Sequence, residues 1–356
     1  MKTRIAFLSL AAALVLFLAG PALAGEAKSL TILFSGDIQG WSSPIPTCGG
    51  RNMGGMARVV TERARLEAKS GPVLLLDAGG FYPLNVFGPY VAEEVYRVGL
   101  KAMQATGFDA ANLSAADLVQ GYPTLRKSQA ELNLPLVTTN VVFAGTKVPL
   151  MAPFIVKDVD GVKVGILGLS PETDLPRSPA GGVGDAVAVV SPAEALAYYL
   201  PQVKAKSDLV VLLSHCGMVV TNELLTAFPD IDLALVAGKD AGKGSCTTLD
   251  SLVEAYRDQS VQQKAFPVVD RLYTLGAVTM QPNVNGSMVA TKVEYLPLEM
   301  DLPKDEKLMA ITGKNVYIEG LDALKARSAE IQTQMQSDVQ QMQGMSPEQF
   351  LQTLQK

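Results

Sequence analysis

Short runs rich in apolar residues recur along this chain, each ending on or followed directly by a small, polar or charged residue. They lie at 30–34, 73–77, 110–113, 136–140, 162–169, 209–214 and 233–237. Runs of this length read as strands, and runs without polar alternation read as strands buried on both faces. Between them, residues 56–68, 91–106, 122–133 and 192–205 carry apolar residues at helical spacing. Strands alternating with helices predict a layered α/β domain with much parallel sheet. Residues 268–295 change character. They are rich in Val, Thr and Tyr, with Asn285-Gly286 as a hairpin signal, and are expected to add antiparallel strands that close the sheet.

The strand ends carry the chemistry. The first strand breaks at Ser35-Gly36, and Asp37 follows. In open α/β sheets, ligands sit in the crevice beyond the carboxyl ends of the strands, where such a carboxylate would point. Capping a turn is the other reading of Asp37. Later strands end in Asp77-Ala78-Gly79-Gly80, His215-Cys216-Gly217 and Gly238-Lys239-Asp240.

The first residues stand apart. Lys2 and Arg4 precede an apolar run to Leu18, then Pro21 and Ala22-Leu23-Ala24. This is the pattern of a secretory signal peptide cut after Ala24, and it predicts a secreted or periplasmic protein. The run is short for a membrane span, and no Cys at the cut suggests a lipid anchor. A net charge of −5 without a basic cluster argues against nucleic acid as partner. Three cysteines, Cys48, Cys216 and Cys246, are too few for a disulfide scaffold and odd in number. Past Pro303 the chain turns Gln- and Met-rich. Residues 322–342 read as an amphipathic helix or a loosely attached tail, and Ser346-Pro347 opens a last short helix. The expected division is residues 1–24 as signal, 25–301 as one domain and 302–356 as a helical tail.

Several segments in order carry a family resemblance. They are Leu30-Thr31-Ile32-Leu33 with Asp37, Met53-Gly54-Gly55-Met56-Ala57-Arg58, Leu74-Leu75-Leu76-Asp77-Ala78-Gly79, residues 162–169 with Ser170-Pro171-Glu172-Thr173, and Leu212 to His215. Together they resemble the N-terminal, calcineurin-like metallophosphoesterase domain of the periplasmic 5′-nucleotidases. A small nucleotidase-like group in which selenocysteine occurs is also similar. The resemblance covers residue 30 to about 301 and implies an α/β/β/α sandwich with mixed sheets. The C-terminal nucleotide-holding domain of that family is expected to be missing.

The resemblance also implies a centre of two divalent metals that polarise a phosphoryl group and supply a hydroxide, with a His as general acid. Position by position, this chain departs from that set. Asp37 is kept, but the His two residues on is Gln39. The bridging carboxylate is Gly80. The Asn ligand is Ala115, and the catalytic His is Ala116. His215 is kept. The last two His positions are Lys239 and Ala241. The chain has a single histidine, so no other imidazole can substitute. One ligand per ion does not hold a divalent cation against water. No cofactor is therefore expected, and divalent metals return only if residual hydrolysis survives.

The leading expectation is a non-hydrolytic protein whose crevice binds a small anion through Lys239 and His215, or binds a protein partner through the tail. A salt bridge from Lys239 to Asp37 or Asp240 is the plainer use of that lysine. A second expectation is thiol redox chemistry at Cys48, Cys216 and Cys246, with a cationic crevice lowering a thiol pKa. Its plainer counterpart is one structural disulfide and one buried thiol. A third is residual hydrolysis of nucleotides or other phosphoesters. Trp41, Phe81 and Tyr82 stand near the crevice as ligand stackers or loop anchors, and Asp117 as a lone base.

Overall fold

The computed structural model describes residues 29–46, 52–82, 89–118, 122–172, 187–239, 260–312 and 333. The expected signal peptide, the tail helices, Cys48, Cys246, Asp240 and Ala241 lie outside them.

Two mixed sheets form the centre. In the first, β1 (Leu30–Ser35), β4 (Val73–Asp77), β5 (Ala110–Asn112) and β6 (Leu136–Val137) run parallel. On the other side of β1, β14 (Thr274–Pro282) pairs antiparallel, and β15 (Met288–Pro297) pairs with β14. In the second, β9 (Val162–Leu169), β11 (Leu209–Ser214), β12 (Leu233–Val236) and β13 (Ala265–Pro267) are parallel, and β8 (Phe154–Val159) adds an antiparallel edge. Two small ribbons complete the strands: β2 (Ile45–Pro46) with β3 (Asn52–Met53), and β7 (Val141–Phe143) with β10 (Val187–Val189).

The layering follows from side-chain alternation along each buried strand. Leu30, Ile32 and Phe34 of β1 and Leu74 and Leu76 of β4 point inward, where they meet Val164 and Ile166 of β9, Leu209, Val211 and Leu213 of β11 and Leu233 and Leu235 of β12. Their neighbours Leu33, Val73 and Leu75 point the other way. There they pack under α1 (Met56–Ser70), α2 (Pro89–Thr106), α3 (Tyr122–Leu132) and α6 (Glu306–Thr312). On the second sheet, Val210, Leu212, Ala234 and Val236 pack under α4 (Pro192–Lys204) and α5 (Gly217–Ala227). The result is the helix–sheet–sheet–helix sandwich expected from the resemblance. No helix among the described residues is long and apolar enough to cross a membrane.

Two expectations shift. The run at 136–140 is a strand only to Val137, because Thr138, Thr139 and Asn140 leave the ladder. Thr139 and Asn140 then bond the end of β9: Gly168 N–H donates to Thr139 Oγ1 at 3.0 Å and Ser170 N–H to Asn140 Oδ1 at 2.8 Å. The turn signalled by Asn285-Gly286 spans residues 283–287, and in it Asn283 Oδ1 accepts the N–H groups of Asn285 and Ser287. The segment opening at 268 joins the first sheet only from Thr274, since β13 just before it belongs to the second. The antiparallel strand β8 and helix α5 carried no clear sequence signal.

Phe34 anchors the contact between the sheets. It meets Tyr295 edge-on at 6.0 Å, and its ring fills the space where a side chain on Gly276 would stand. Phe34→Ala is expected to cost about 3–5 kcal/mol in urea unfolding. Val284→Ala, at a fully exposed loop tip, should stay within about 0.5 kcal/mol of the parent.

Candidate functional site

All the parallel strands of both sheets end on one side, so the residues after β1, β4, β5, β9, β11 and β12 converge there. Asp37 takes a left-handed backbone, φ 47°, which lets the chain turn sharply off β1. Its N–H donates to Gly79 O at 2.7 Å, and its C=O accepts Arg271 N–H at 2.9 Å. The turn is thereby fixed from both sides.

Asp37 and His215 meet directly. His215 Nε2 lies 2.9 Å from Asp37 Oδ1, and the second carboxylate oxygen accepts Gly238 N–H at 2.8 Å. The two side chains keep 14% and 12% exposure, so the pair lines the open crevice and is not sealed inside. Gly80 passes just beneath it. A Cβ at Gly80 would collide with Asp37 Oδ1 and stand 2.8 Å from His215 Nε2, and the backbone there has φ 80°. The position where the resemblance places a bridging carboxylate thus has no side chain and no room for one.

Two further carboxyl groups lie behind the pair, and each is saturated. Asp77 accepts Ser35 Oγ–H at 2.6 Å and Gly79 N–H at 2.9 Å. Asp117 accepts Ser114 Oγ–H at 2.6 Å and the N–H groups of Ser114, Gly80 and Tyr82 at 2.9–3.1 Å. Burial pushes the Asp77 carboxyl up to about 7, against the bonds from Ser35 and Gly79, while the charges of Asp117 and Asp37 push further. Burial also raises Asp117, opposed first by the Ser114 bond and then by His215. For His215, burial disfavours the charged ring. The bond and charge of Asp37, with Asp117 and Asp77 beyond, outweigh it, and its pKa rises.

A polar seam joins the sheets next to this cluster. Asn112 Nδ2 donates to Ala78 O and Leu169 O, Asn140 Nδ2 to Ser170 O, and Ala115 N–H to Ser170 Oγ. Among the described residues, Asn112 Oδ1 has no hydrogen-bond partner. Small polar residues directly after strands were the available sequence signal for this seam, and Ser114 three residues before Asp117 was the signal for that carboxylate's clamp.

Several expected roles need correction. Asp117 is not a free base, because its acceptor positions are filled by the protein. Cys216 is a free thiol, 7% exposed, and burial drives it up to about 11, opposite to the expected lowering. No ion pair joins Lys239 to Asp37; the lysine is exposed at the rim. Phe81 and Tyr82 are buried and pack on Tyr96 with ring centroids 5.9 and 5.2 Å apart, which makes them loop anchors. Gln39 holds its loop by donating its N–H to Gly80 O at 2.9 Å, also at positive φ. Ala115, at the Asn-ligand position, is buried at the foot of a single 3₁₀ turn (Ala115–Leu118).

Two divalent ions do not fit this donor set. Among the described residues, no group of three or more His, Cys, Asp or Glu side chains is arranged to hold a metal ion. Opening the Asp37–His215 bond would cost about 1.5–3 kcal/mol and expose only one donor on each side.

No family model matches the chain. It is 26% identical over 298 residues to a 5′-nucleotidase of Vibrio cholerae, covering 80% of this chain and 52% of that protein. The chain thus spans about half the length of that relative. In fold it is similar to the 5′-nucleotidase precursor of Thermus thermophilus, with a TM-score of 0.62 at 21% identity, covering 84% of this chain and 59% of that one. It is also similar to the calcineurin-like phosphoesterase YfkN of Bacillus subtilis, with a TM-score of 0.63 at 16% identity, covering 84% and 99%. In sequence the chain is similar to the 5′-nucleotidases, and in fold it is similar to their calcineurin-like phosphoesterase domain.

Proposed function

We propose that this chain is an exported, metal-free member of the 5′-nucleotidase family that binds in its crevice and does not hydrolyse phosphoesters. One observation carries the reading. Asp37 and His215, retained from the ligand set that the resemblance implies, are hydrogen-bonded to each other across Gly80. The direct carboxylate–imidazole bond ties together two groups that the resemblance assigns to different ions, and nothing at Gly80 or Ala115 restores the missing donors. The raised His215 pKa favours an imidazolium at the crevice, and the exposed Lys239 adds a second cation at the rim. Together they suit a small oxyanion such as phosphate or sulfate. A protein partner is the other occupant open to a binding role. The burial of Cys216 removes support for a thiol mechanism at that residue.

Tag-free mature protein provides the test. Elemental analysis and titration with manganese or zinc should show no stoichiometric ion, and AMP should turn over no faster than in buffer. Sulfate or phosphate at about one hundred times its Kd should stabilise the protein by about 2.7 kcal/mol, and Lys239→Ala should remove most of that. Absence of any anion effect would leave the protein partner. Two bound ions with AMP hydrolysis lost in His215→Ala would overturn the proposal.

Reinstating the carboxylate alone should fail. Gly80→Asp is expected to lose about 2–4 kcal/mol, from the strained φ and the collision with the Asp37–His215 pair. A variant as stable as the parent that binds manganese would contradict this.

The buried Asp77 sets a pH dependence. Its folded pKa lies above the unfolded value near 4, so the folded state binds the extra proton. Its contribution is complete below about pH 4 and is lost as pH rises through 7. Asp77→Asn keeps an acceptor for Gly79 N–H and a donor for Ser35 Oγ. Urea unfolding between pH 4 and 8 should show the parent losing up to about 4 kcal/mol more stability than this variant.

A further inference from the structure

Away from the crevice, the described residues hold a cavity of about 420 Å³ between β7, the loop after it and the first turns of α4. Its volume falls within the range of roughly 300–1,000 Å³ typical of small-molecule sites. Val142 lies buried at its base. Val148 from the loop and Tyr198 from α4 line it while 58% and 67% exposed, so two elements each leave a large apolar side chain in water at one place. Tyr198 stands edge-on to Tyr199 at 4.8 Å, and Tyr199 is edge-on to Phe154 at 6.5 Å, which holds the rings in a fixed array.

The charges of the cavity are also left over. Lys147 and Glu194 both line it as exposed side chains, and neither makes an ion pair or side-chain hydrogen bond among the described residues, including with each other. A simple anion would meet Glu194, a simple cation would meet Lys147, and a purely apolar molecule would use neither. A molecule with both charges and a ring uses every group present. We infer that this cavity binds a small aromatic zwitterion, the chemical class of the free aromatic amino acids. Its ring packs against Tyr198, Tyr199 and Val148, Lys147 takes the carboxylate, and Glu194 takes the ammonium. The inference is independent of what occupies the crevice.

Calorimetric titration of the full mature protein with L-tryptophan and with L-phenylalanine tests it. At least one should bind saturably. N-acetyl-L-tryptophan amide, which keeps the ring and loses both charges, should bind about tenfold more weakly. Tyr198→Ala and Glu194→Gln should each weaken binding by about tenfold, while His215→Ala should leave it unchanged. Both substituted side chains are exposed, and an unchanged melting temperature verifies that the variants are folded. No binding of either amino acid, binding as tight as the parent's in Tyr198→Ala and Glu194→Gln, or loss of binding in His215→Ala would overturn the assignment.

Discussion

The contact between the inner faces of the two sheets is what the rest of the molecule depends on. Leucine, isoleucine, valine and phenylalanine from β1 and β4 interleave with those of β9, β11 and β12, and all are withdrawn from water. Each such side chain contributes about 1.5–3 kcal/mol relative to exposure. Because the strands on both sides are mostly parallel, this packing brings their carboxyl ends to one edge. There the ladders stop, and the freed backbone groups need partners. Asn112, Asn140, Thr139 and Ser170 supply them, so the floor of the crevice is a hydrogen-bonded seam and not a set of loose loops.

That edge normally offers converging side chains to a ligand, and here most of the convergence is turned inward. Asp77 and Asp117 spend their oxygens on serine hydroxyls and backbone N–H groups. Asp37 spends one on His215 and one on Gly238. Buried carboxyl groups are tolerable when bonded or protonated, and the raised pKa of Asp77 reflects the second route.

Much of this was legible in the residues. Runs buried on both faces announced the sandwich, since Val162–Leu169 and Leu209–Ser214 leave no polar face for water. The departures at Gln39, Gly80 and Ala115 from the set that the resemblance implies were visible as residue types. What could not be read was which groups would then pair. The bond from Asp37 to His215 spans 178 positions and depends on both sheets being in register. The environment of Cys216 was equally hidden. Its place after His215 suggested the crevice, whereas the turn into α5 carries the sulfur into the apolar layer beneath that helix. The threonines and asparagine after Val137 looked like strand and serve as the seam, because the side chains of Thr139 and Asn140 bond backbone groups at the end of β9.

His215 is the only histidine in the chain, so its ring can be watched without interference. Two-bond ¹H–¹⁵N spectra of tag-free protein, recorded against pH and with added zinc, address the direct Asp37–His215 bond most immediately. The account predicts one imidazole that titrates above the ordinary histidine range, moves down in Asp37→Asn, and keeps its shifts when zinc is added. A stoichiometric zinc-dependent shift at Nε2, with the ring held neutral, would contradict it.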